Sequence, residues 1–294
     1  MSAGVILFAA LTPGLFWLWF FTRGRFYRPR PARLMIGTFI LGALSIIPAA
    51  ALETWLIDDS VFSAVATLAS VATVMFFVVG PVEEFSKFLA VRFGAARSRY
   101  FEETMDGLVY AAAASFGFAS AENISYAFQY GPEVMLQRGP ISTVAHFAFG
   151  ALWGVALGAR AEGRVGRTAI VGGLAAAAAM HGLFNVLVFT GTGVGIVAAI
   201  SLMIIGAVIA QRMFARARLH SPHRLRRNVP HAICRCGNNE RLAHAGCSVC
   251  DRPLGRAINL VCGNCGTMNA GTAHYCSRCG DQFVPAARRP AISR

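Results

Sequence analysis

Glutamate, lysine, histidine and asparagine punctuate stretches of this sequence that are otherwise apolar. Glu83, Glu84 and Lys87 stand in VEEFSKFL, Glu122 and Asn123 in FGFASAENISY, His146 in VAHFAFG, and His181 and Asn185 in HGLFN. Glu83 with Lys87, and His181 with Asn185, are four residues apart, so each pair shares a helix face. Two adjacent buried carboxylates beside an amine can share their protons so that one remains an ionised base. Such a base could take a proton from water as it attacks an amide, while histidine and asparagine donors hold the oxyanion. The rival chemistry is a zinc site with Glu122, His146 and His181 as ligands. No GxSG, HExxH or GxGD occurs within an apolar stretch, and the first 233 residues contain no cysteine. Nucleophilic serine, thiol and HExxH-type zinc chemistry are therefore excluded there.

Membrane-spanning helices must position these groups. The chain has 294 residues, 55% hydrophobic and only 14% charged, with a mean hydropathy of +0.53. That is too apolar for a soluble domain of this size. Runs long enough to cross a bilayer lie near residues 4–22, 34–57, 61–80 (continuing as helix to about 93), 106–128, 140–159, 168–190 and 193–214. They predict an all-α polytopic membrane protein of about seven transmembrane helices. The first run has no basic residue before it and is read as a retained anchor rather than a signal peptide. Counted from the basic ends at 1.5 Å per residue, Glu84 lies roughly 15 Å deep, Glu122 roughly 24 Å, and His146 and His181 roughly 20 Å. Four helices thus bring polar groups to a similar level. An ionisable group at that depth costs about 2.5–3.5 kcal/mol on insertion scales, so each needs a reason. His146 also heads a stripe with Gly150, Gly154 and Gly158, whose small residues let a second helix approach. Glu102, Glu103 and Asp106 precede a span, where a helix cap or a solvated face accounts for them.

Arginine placement orients the chain. Basic clusters follow the first, third, fifth and seventh runs, whereas the alternate connections hold Asp58 and Asp59, then Glu133 with a single Arg138, then no charge. Basic residues accumulate on the cytoplasmic side, which puts the N-terminus outside and the C-terminus in the cytoplasm. The net charge is +13, and +11 of it falls from Arg212 onward, where 14 Arg face Glu240, Asp251 and Asp281. Residues 1–214 therefore read as the membrane domain and 215–230 as a basic linker near anionic headgroups. Residues 231–285 form a small cytoplasmic domain, and 286–294 a disordered tail.

All eight cysteines lie in that small domain. Cys262, Cys265, Cys276 and Cys279 make two CxxC pairs ten residues apart, the spacing of a closed structural zinc site. Cys236, Cys247 and Cys250 repeat the last three positions 29 residues earlier, with Cys234 as the fourth, and His231 or His244 could replace one thiolate. The prediction is a tandem zinc ribbon holding two structural ions. It resembles the zinc ribbons attached to many bacterial membrane proteins. With only Tyr275 and Phe283 as aromatics, it suits protein docking better than nucleic acid.

The membrane motifs together carry a resemblance. Glu83-Glu84-x-x-Lys87, Asp106-Gly107-x-x-Tyr110, Gly117-Phe118-Ala119-x-x-Glu122-Asn123, His146-x-x-x-Gly150 and His181-x-x-x-Asn185 resemble the PrsW family of intramembrane proteases. That family is related to the CAAX prenyl endopeptidases and the Abi proteins. The resemblance spans about residues 70–190. CAAX-type relatives usually carry histidine in an FxxxH pattern where this chain has Glu122; many relatives have a third glutamate where it has Val82. The resemblance implies an endopeptidase in the bacterial inner membrane that cuts single-pass membrane proteins such as anti-sigma-factor-like regulators. It also implies that Glu83 and Glu84 activate water, that Glu122, His146 and His181 are their partners, and that Asn185 donates to the oxyanion, with Lys87 and Asn123 supporting. A non-catalytic membrane scaffold or immunity protein is the other alternative. On the carboxylate mechanism, zinc belongs to the ribbons alone, and Glu84→Gln is expected to abolish cleavage with insertion near normal.

Overall fold

The computed structural model describes residues 3–22, 30–62, 67–221, 231–233, 236, 239–241, 247, 249–250, 259–262, 267–270, 273, 275–278 and 280. It divides into two units, Met1–Arg218 and Leu219–Arg294. In the first, α1 (Ala3–Thr22) is followed by α2 (Ala32–Leu44) and α3 (Ile46–Leu56). These last two form one apolar run broken at Ser45, because Pro48 has no N–H to offer the carbonyl of Leu44. Next comes a single rod made of α4 (Leu68–Val74), a π-helical turn over Met75–Val79 and α5 (Gly80–Phe93). The wide turn sits just ahead of Pro81, where a proline ring would press on the preceding turn of a regular helix. The unit is completed by α6 (Thr104–Tyr130), the short α7 (Met135–Arg138), α8 (Ser142–Ala161), α9 (Arg167–Phe189) and α10 (Gly193–His220).

Among the described residues, six segments are long and apolar enough to cross a membrane, lying within 3–20, 32–56, 68–97, 142–161, 167–189 and 193–220. The seventh expected span coincides with α6, whose 27 residues are also long enough but less apolar. Its position explains the difference. From Thr104 to Ser120 every residue is buried, so protein rather than lipid surrounds it, and alanine, glycine and serine serve better than leucine. α10 continues past 214 to His220, with Arg216, Arg218 and His220 near its C-terminal end, where positive charge suits the helix dipole.

The glycine stripe is where α6 and α8 meet. A Cβ added to Gly107 would lie 2.1 Å from the carbonyl oxygen of Gly154, one on Gly158 2.7 Å from Thr104 Cα, and one on Gly154 2.6 Å from Ala111 Cβ. The two backbones touch, and no side chain fits between them. Gly107→Ala should therefore force the helices apart, destabilising the protein by at least about 1–3 kcal/mol. A drop in thermal stability in detergent, by size-exclusion of heated samples, measures this; an unchanged midpoint would contradict the packing described.

The N-terminus of α6 is capped from within. Glu103 and Asp106 form a capping box, and Arg30 ties the two together, 3.0 Å from Glu103 Oε1 and 2.7 Å from Asp106 Oδ1. All three are buried, which selects the cap over the solvated face.

In the second unit four short strands form an antiparallel sheet in the order β2 (Asn239–Arg241), β1 (His231–Ile233), β3 (Asn259–Val261), β4 (Met268–Ala270). Each half of the expected repeat supplies one hairpin, and the two hairpins join through β1 and β3.

Candidate functional site

α5 supplies Glu83, Glu84 and Lys87, and the π turn before it lets α9 come close. A Cβ on Gly80 would lie 2.4 Å from the carbonyl oxygen of Ala178, and one on Gly182 2.7 Å from that of Met75. This contact seats His181 directly against the two glutamates. From the other side, α8 presents His146 and Trp153, and α6 presents Glu122.

Both oxygens of Glu84 are engaged. Oε1 accepts from Lys87 Nζ at 2.7 Å and from His181 Nδ1 at 3.1 Å, and Oε2 accepts from Trp153 Nε1 at 3.0 Å. A carboxylate can only accept, so the bond to Glu84 requires a proton on His181 Nδ1. The other ring nitrogen, Nε2, lies 3.6 Å from Glu83 Oε2. His146 follows the same logic. Its Nδ1 is 2.9 Å from the Lys87 ammonium, which can only donate, and its Nε2 is 2.8 Å from Glu122 Oε2. The proton therefore sits on Nε2, and Nδ1 lies 4.0 Å from Glu83 Oε2. Each imidazole thus sets one nitrogen beside an outer carboxylate and the other toward Glu83, that of His146 in contact with Lys87.

Glu83 Oε2 is the atom between them. It is buried, has no hydrogen-bond partner among the described residues, and lies 3.5 Å from Lys87 Nζ. Glu83, His146 and His181 each offer a donor atom within 4.8 Å of the others. The two rings meet edge to face with centroids 5.0 Å apart, and Lys87 Nζ lies 4.5 Å above the Phe118 ring.

Six residues singled out in the sequence therefore meet: Glu83, Glu84, Lys87, Glu122, His146 and His181. Two do not reach the centre. Asn123 accepts from Arg138 Nε at 3.0 Å and donates to Thr143 Oγ1 at 3.1 Å, on the rim of the cluster. Asn185, one turn beyond His181 on α9, is half-buried and makes no hydrogen bond to the cluster.

Three participants escaped the sequence reading. Trp153 sits beside Gly154 in the stripe, and an indole N–H at that depth needs an acceptor. Arg138 was visible only as the one basic residue in a connection where basic residues were not expected. Glu53 on α3 has a buried oxygen with no hydrogen-bond partner among the described residues and is close enough to feel the charges of Glu122 and Lys87. With it, four carboxylates face two fixed cations, Lys87 and Arg138. Fully ionised, the cluster would carry a surplus of two negative charges.

In the second unit, the Sγ atoms of Cys236, Cys247 and Cys250 lie within 4.8 Å of one another, Cys236 and Cys247 being 3.6 Å apart. Backbone N–H groups of Val249 and Cys250 push the Cys247 thiol down to about 6, so it is a thiolate at neutral pH, the form that binds metal. Cys262 and Cys276 are buried, and the Asn269 amide donates to Cys276 Sγ at 3.6 Å. Cys234, Cys265, Cys279, His244 and the side chain of His231 lie outside the described residues, as do 222–230 and the expected tail, 286–294.

Comparison with known proteins gives a consistent result. A family model described as PrsW family intramembrane metalloprotease matches residues 30–210. Curated proteins named Protease PrsW match from Geobacillus kaustophilus (29% identical, covering 52% of this chain and 65% of that protein) and Halalkalibacterium halodurans (28%, 62% and 82%). One from Oceanobacillus iheyensis is 33% identical, over 44% of this chain and 57% of its own. The chain thus spans just under two thirds of the length of the first of these. No solved structure matches it.

Proposed function

The chain belongs to the PrsW family of intramembrane proteases, and from that premise we propose that it hydrolyses peptide bonds of single-pass membrane proteins at the Glu83–His146–His181 centre. The observation that carries this is Glu83 Oε2, a buried acceptor left without a hydrogen-bond partner among the described residues, with His181 Nε2 3.6 Å and His146 Nδ1 4.0 Å from it. A water there would give a proton to Glu83 as its oxygen attacks the scissile carbonyl carbon. Lys87, with Asn185 farther along α9, would donate to the resulting oxyanion. As the C–N bond breaks, the proton held by Glu83 passes to the leaving nitrogen, leaving a carboxylic acid and an amine, and transfer of the acid's proton to the amine then gives a carboxylate and an ammonium. Glu84 and Glu122 act one step out, by fixing the imidazoles.

These residues also fit a divalent metal. Two imidazoles that each hand their outer N–H to a carboxylate are the usual surroundings of metal-bound histidine. A dipositive ion would also cancel the surplus that the cluster would carry with all four carboxylates ionised. Glu83, His146 and His181 would hold it, with Glu83 in the place the sequence reading gave to Glu122, and Lys87, in contact with His146 Nδ1, would have to yield. Such an ion polarises the carbonyl and lowers the pKa of bound water.

The cysteine domain we read as two structural zinc sites, Cys234, Cys236, Cys247 and Cys250 in one and Cys262, Cys265, Cys276 and Cys279 in the other, serving to dock a cytoplasmic protein. The setting is a bacterial cell membrane with the N-terminus outside. Reporters fused after residues 30, 97, 164 and 220 should all report the cytoplasm, and those after 59 and 192 the exterior; one reversal removes a span. Activity is tested by reconstituting the purified chain in liposomes with a pool of single-span segments tagged at both ends. Glu83-dependent fragments are expected. A parent chain that cuts no segment would favour the scaffold.

A further inference from the structure

We propose that Glu53, on α3, selects the substrate: its carboxylate receives the side chain of a lysine or arginine at the exterior end of the membrane segment to be cut. The inference rests on the peptidase reading and on the orientation proposed with it, and names the feature by which one segment is preferred to another.

α3 follows the break at Ser45, packs against α5 and touches α6. Ala49 is its buried residue, and Glu53, one turn on and on the same face, is half-buried. Ile47, Leu52, Trp55 and Leu56 are exposed, so the rest of the helix is left to lipid. The protein-facing side of α3 thus brings one polar group to the cluster, and that group is an acid. Glu53 Oε1 is buried and has no hydrogen-bond partner among the described residues, which is costly for a carboxylate out of water. Across from it stand Glu83 and Lys87 of α5 and Glu122 of α6, near enough to interact with its charge. Glu53 lies four residues, roughly 6 Å, before Ile57, which ends α3. The exposed indole of Trp55 marks the membrane boundary beside it.

The cations nearest to Glu53 are already engaged. Lys87 holds Glu84 and His146, and Arg138 is paired with Glu122 and Asn123. The sequence has no lysine or arginine between Arg33 and Lys87, and none but Arg138 between Arg99 and Arg160. The exterior connections and the helix ends beside them therefore set Glu53, Asp58, Asp59, Glu122 and Glu133 against one guanidinium. A cation for Glu53 must come from elsewhere. Among the described residues Glu53 does not gather with two other ligand atoms, as a metal ion would require. A lipid ammonium is held at the headgroups, whereas Glu53 turns inward to the reacting centre. A segment laid along that centre passes Glu53, and a lysine or arginine near its end reaches inward on a long apolar stem. Basic residues accumulate at the cytoplasmic ends of membrane spans, so one at the exterior end is an exception. It is a mark that tells a few segments from many.

The test measures binding apart from cutting. The full chain carrying Glu83→Gln is held in a nonionic detergent without lipid, and fluorescent single-span segments are titrated against it by anisotropy. The segments differ at one residue, lysine, leucine or glutamate, moved through the last two turns of the exterior end, roughly seven residues. At the best position lysine should bind about 10-fold more tightly than leucine, the scale of one hydrogen bond to a charged group. Adding Glu53→Gln should erase that difference with the leucine segment bound as before, and Glu53→Lys should turn the preference toward glutamate. With Glu83 restored, kcat/KM should follow the same order, most of the difference lying in KM. Equal binding of lysine and leucine at every position, or no binding, overturns the proposal even if the chain cuts both. So does a lysine preference that survives Glu53→Gln, or a Glu53→Gln protein that binds neither. Added phosphatidylethanolamine should leave the preference standing; its disappearance would give Glu53 to the headgroup and overturn the proposal. A Glu53-dependent preference in a chain that cuts nothing with Glu83 restored supports the proposed seat and overturns the peptidase reading instead. If Glu53→Lys fails to fold, Glu53→Gln decides, since the amide keeps the shape and loses the charge.

Discussion

Glu83→Gln should cut cleavage about 10²–10⁴-fold, the scale of losing a positioned base, and leave thermal stability nearly untouched. The second half of that expectation follows from burial and bonding. Glu83 Oε2 satisfies no partner among the described residues, so exchanging it for an amide removes no hydrogen bond there. Glu84→Gln should behave the other way round. Its oxygens carry Lys87, His181 and Trp153, and breaking a buried ion pair by removing one partner costs about 3–5 kcal/mol. Its effect on cleavage should be about 10–100-fold, through the orientation of His181. Steady-state cleavage of the tagged segments, with melting in the same detergent, separates the two. Half-parental activity in Glu83→Gln would remove Glu83 from the centre, and a Glu84→Gln protein as stable as the parent would show that its three hydrogen bonds are not made.

This pair of expectations differs from what the sequence alone suggests, and the reason is instructive. Adjacent glutamates at the right depth were legible, as were the two histidines and Glu122, because ionisable groups are rare in apolar helices and each declares itself. Their division of labour was not. Glu83 and Glu84 are neighbours in sequence, yet a helix turns about 100° between them, and only the packing of α8 and α9 decides which one meets Trp153. The indole gave no warning, since tryptophan in an apolar run reads as core. Arg138 was legible as an anomaly of charge placement, but its partner was not, because the turn that brings α7 back over α6 has no periodicity to read. α6 was found for its length despite its weak apolarity; the glycine stripe on α8 announced a close neighbour without saying which helix it would be.

The remaining expectation concerns metal. On the purified full chain, elemental analysis should find about three ions per chain, two of them zinc held by the cysteines and one at the membrane site. A chain ending at residue 221 lacks every cysteine and should keep about one. His146→Ala with His181→Ala in that shortened chain should abolish it, because each substitution deletes a nitrogen facing Glu83 while Glu83 alone cannot hold a divalent ion in competition with water. Trp153→Phe, which removes the indole hydrogen bond to Glu84 and keeps an aromatic ring in the core, should retain it. Prolonged dialysis against a chelator should silence cleavage, and added zinc should restore it, since the remaining protein contacts, from the α6–α8 glycine seam to the Arg30 cap, do not involve the ion. The spacing of the sequence pointed to the opposite outcome, a centre run by carboxylates alone. What favours a metal is the placement of two imidazole nitrogens, His181 Nε2 and His146 Nδ1, around one carboxylate oxygen of Glu83. In the structure the Lys87 ammonium lies beside two of these groups, 2.9 Å from His146 Nδ1 and 3.5 Å from Glu83 Oε2, and a metal ion would have to displace it. A shortened chain that cleaves segments while holding no stoichiometric metal would establish that Lys87 keeps that place, with Glu83 as a base working without a metal.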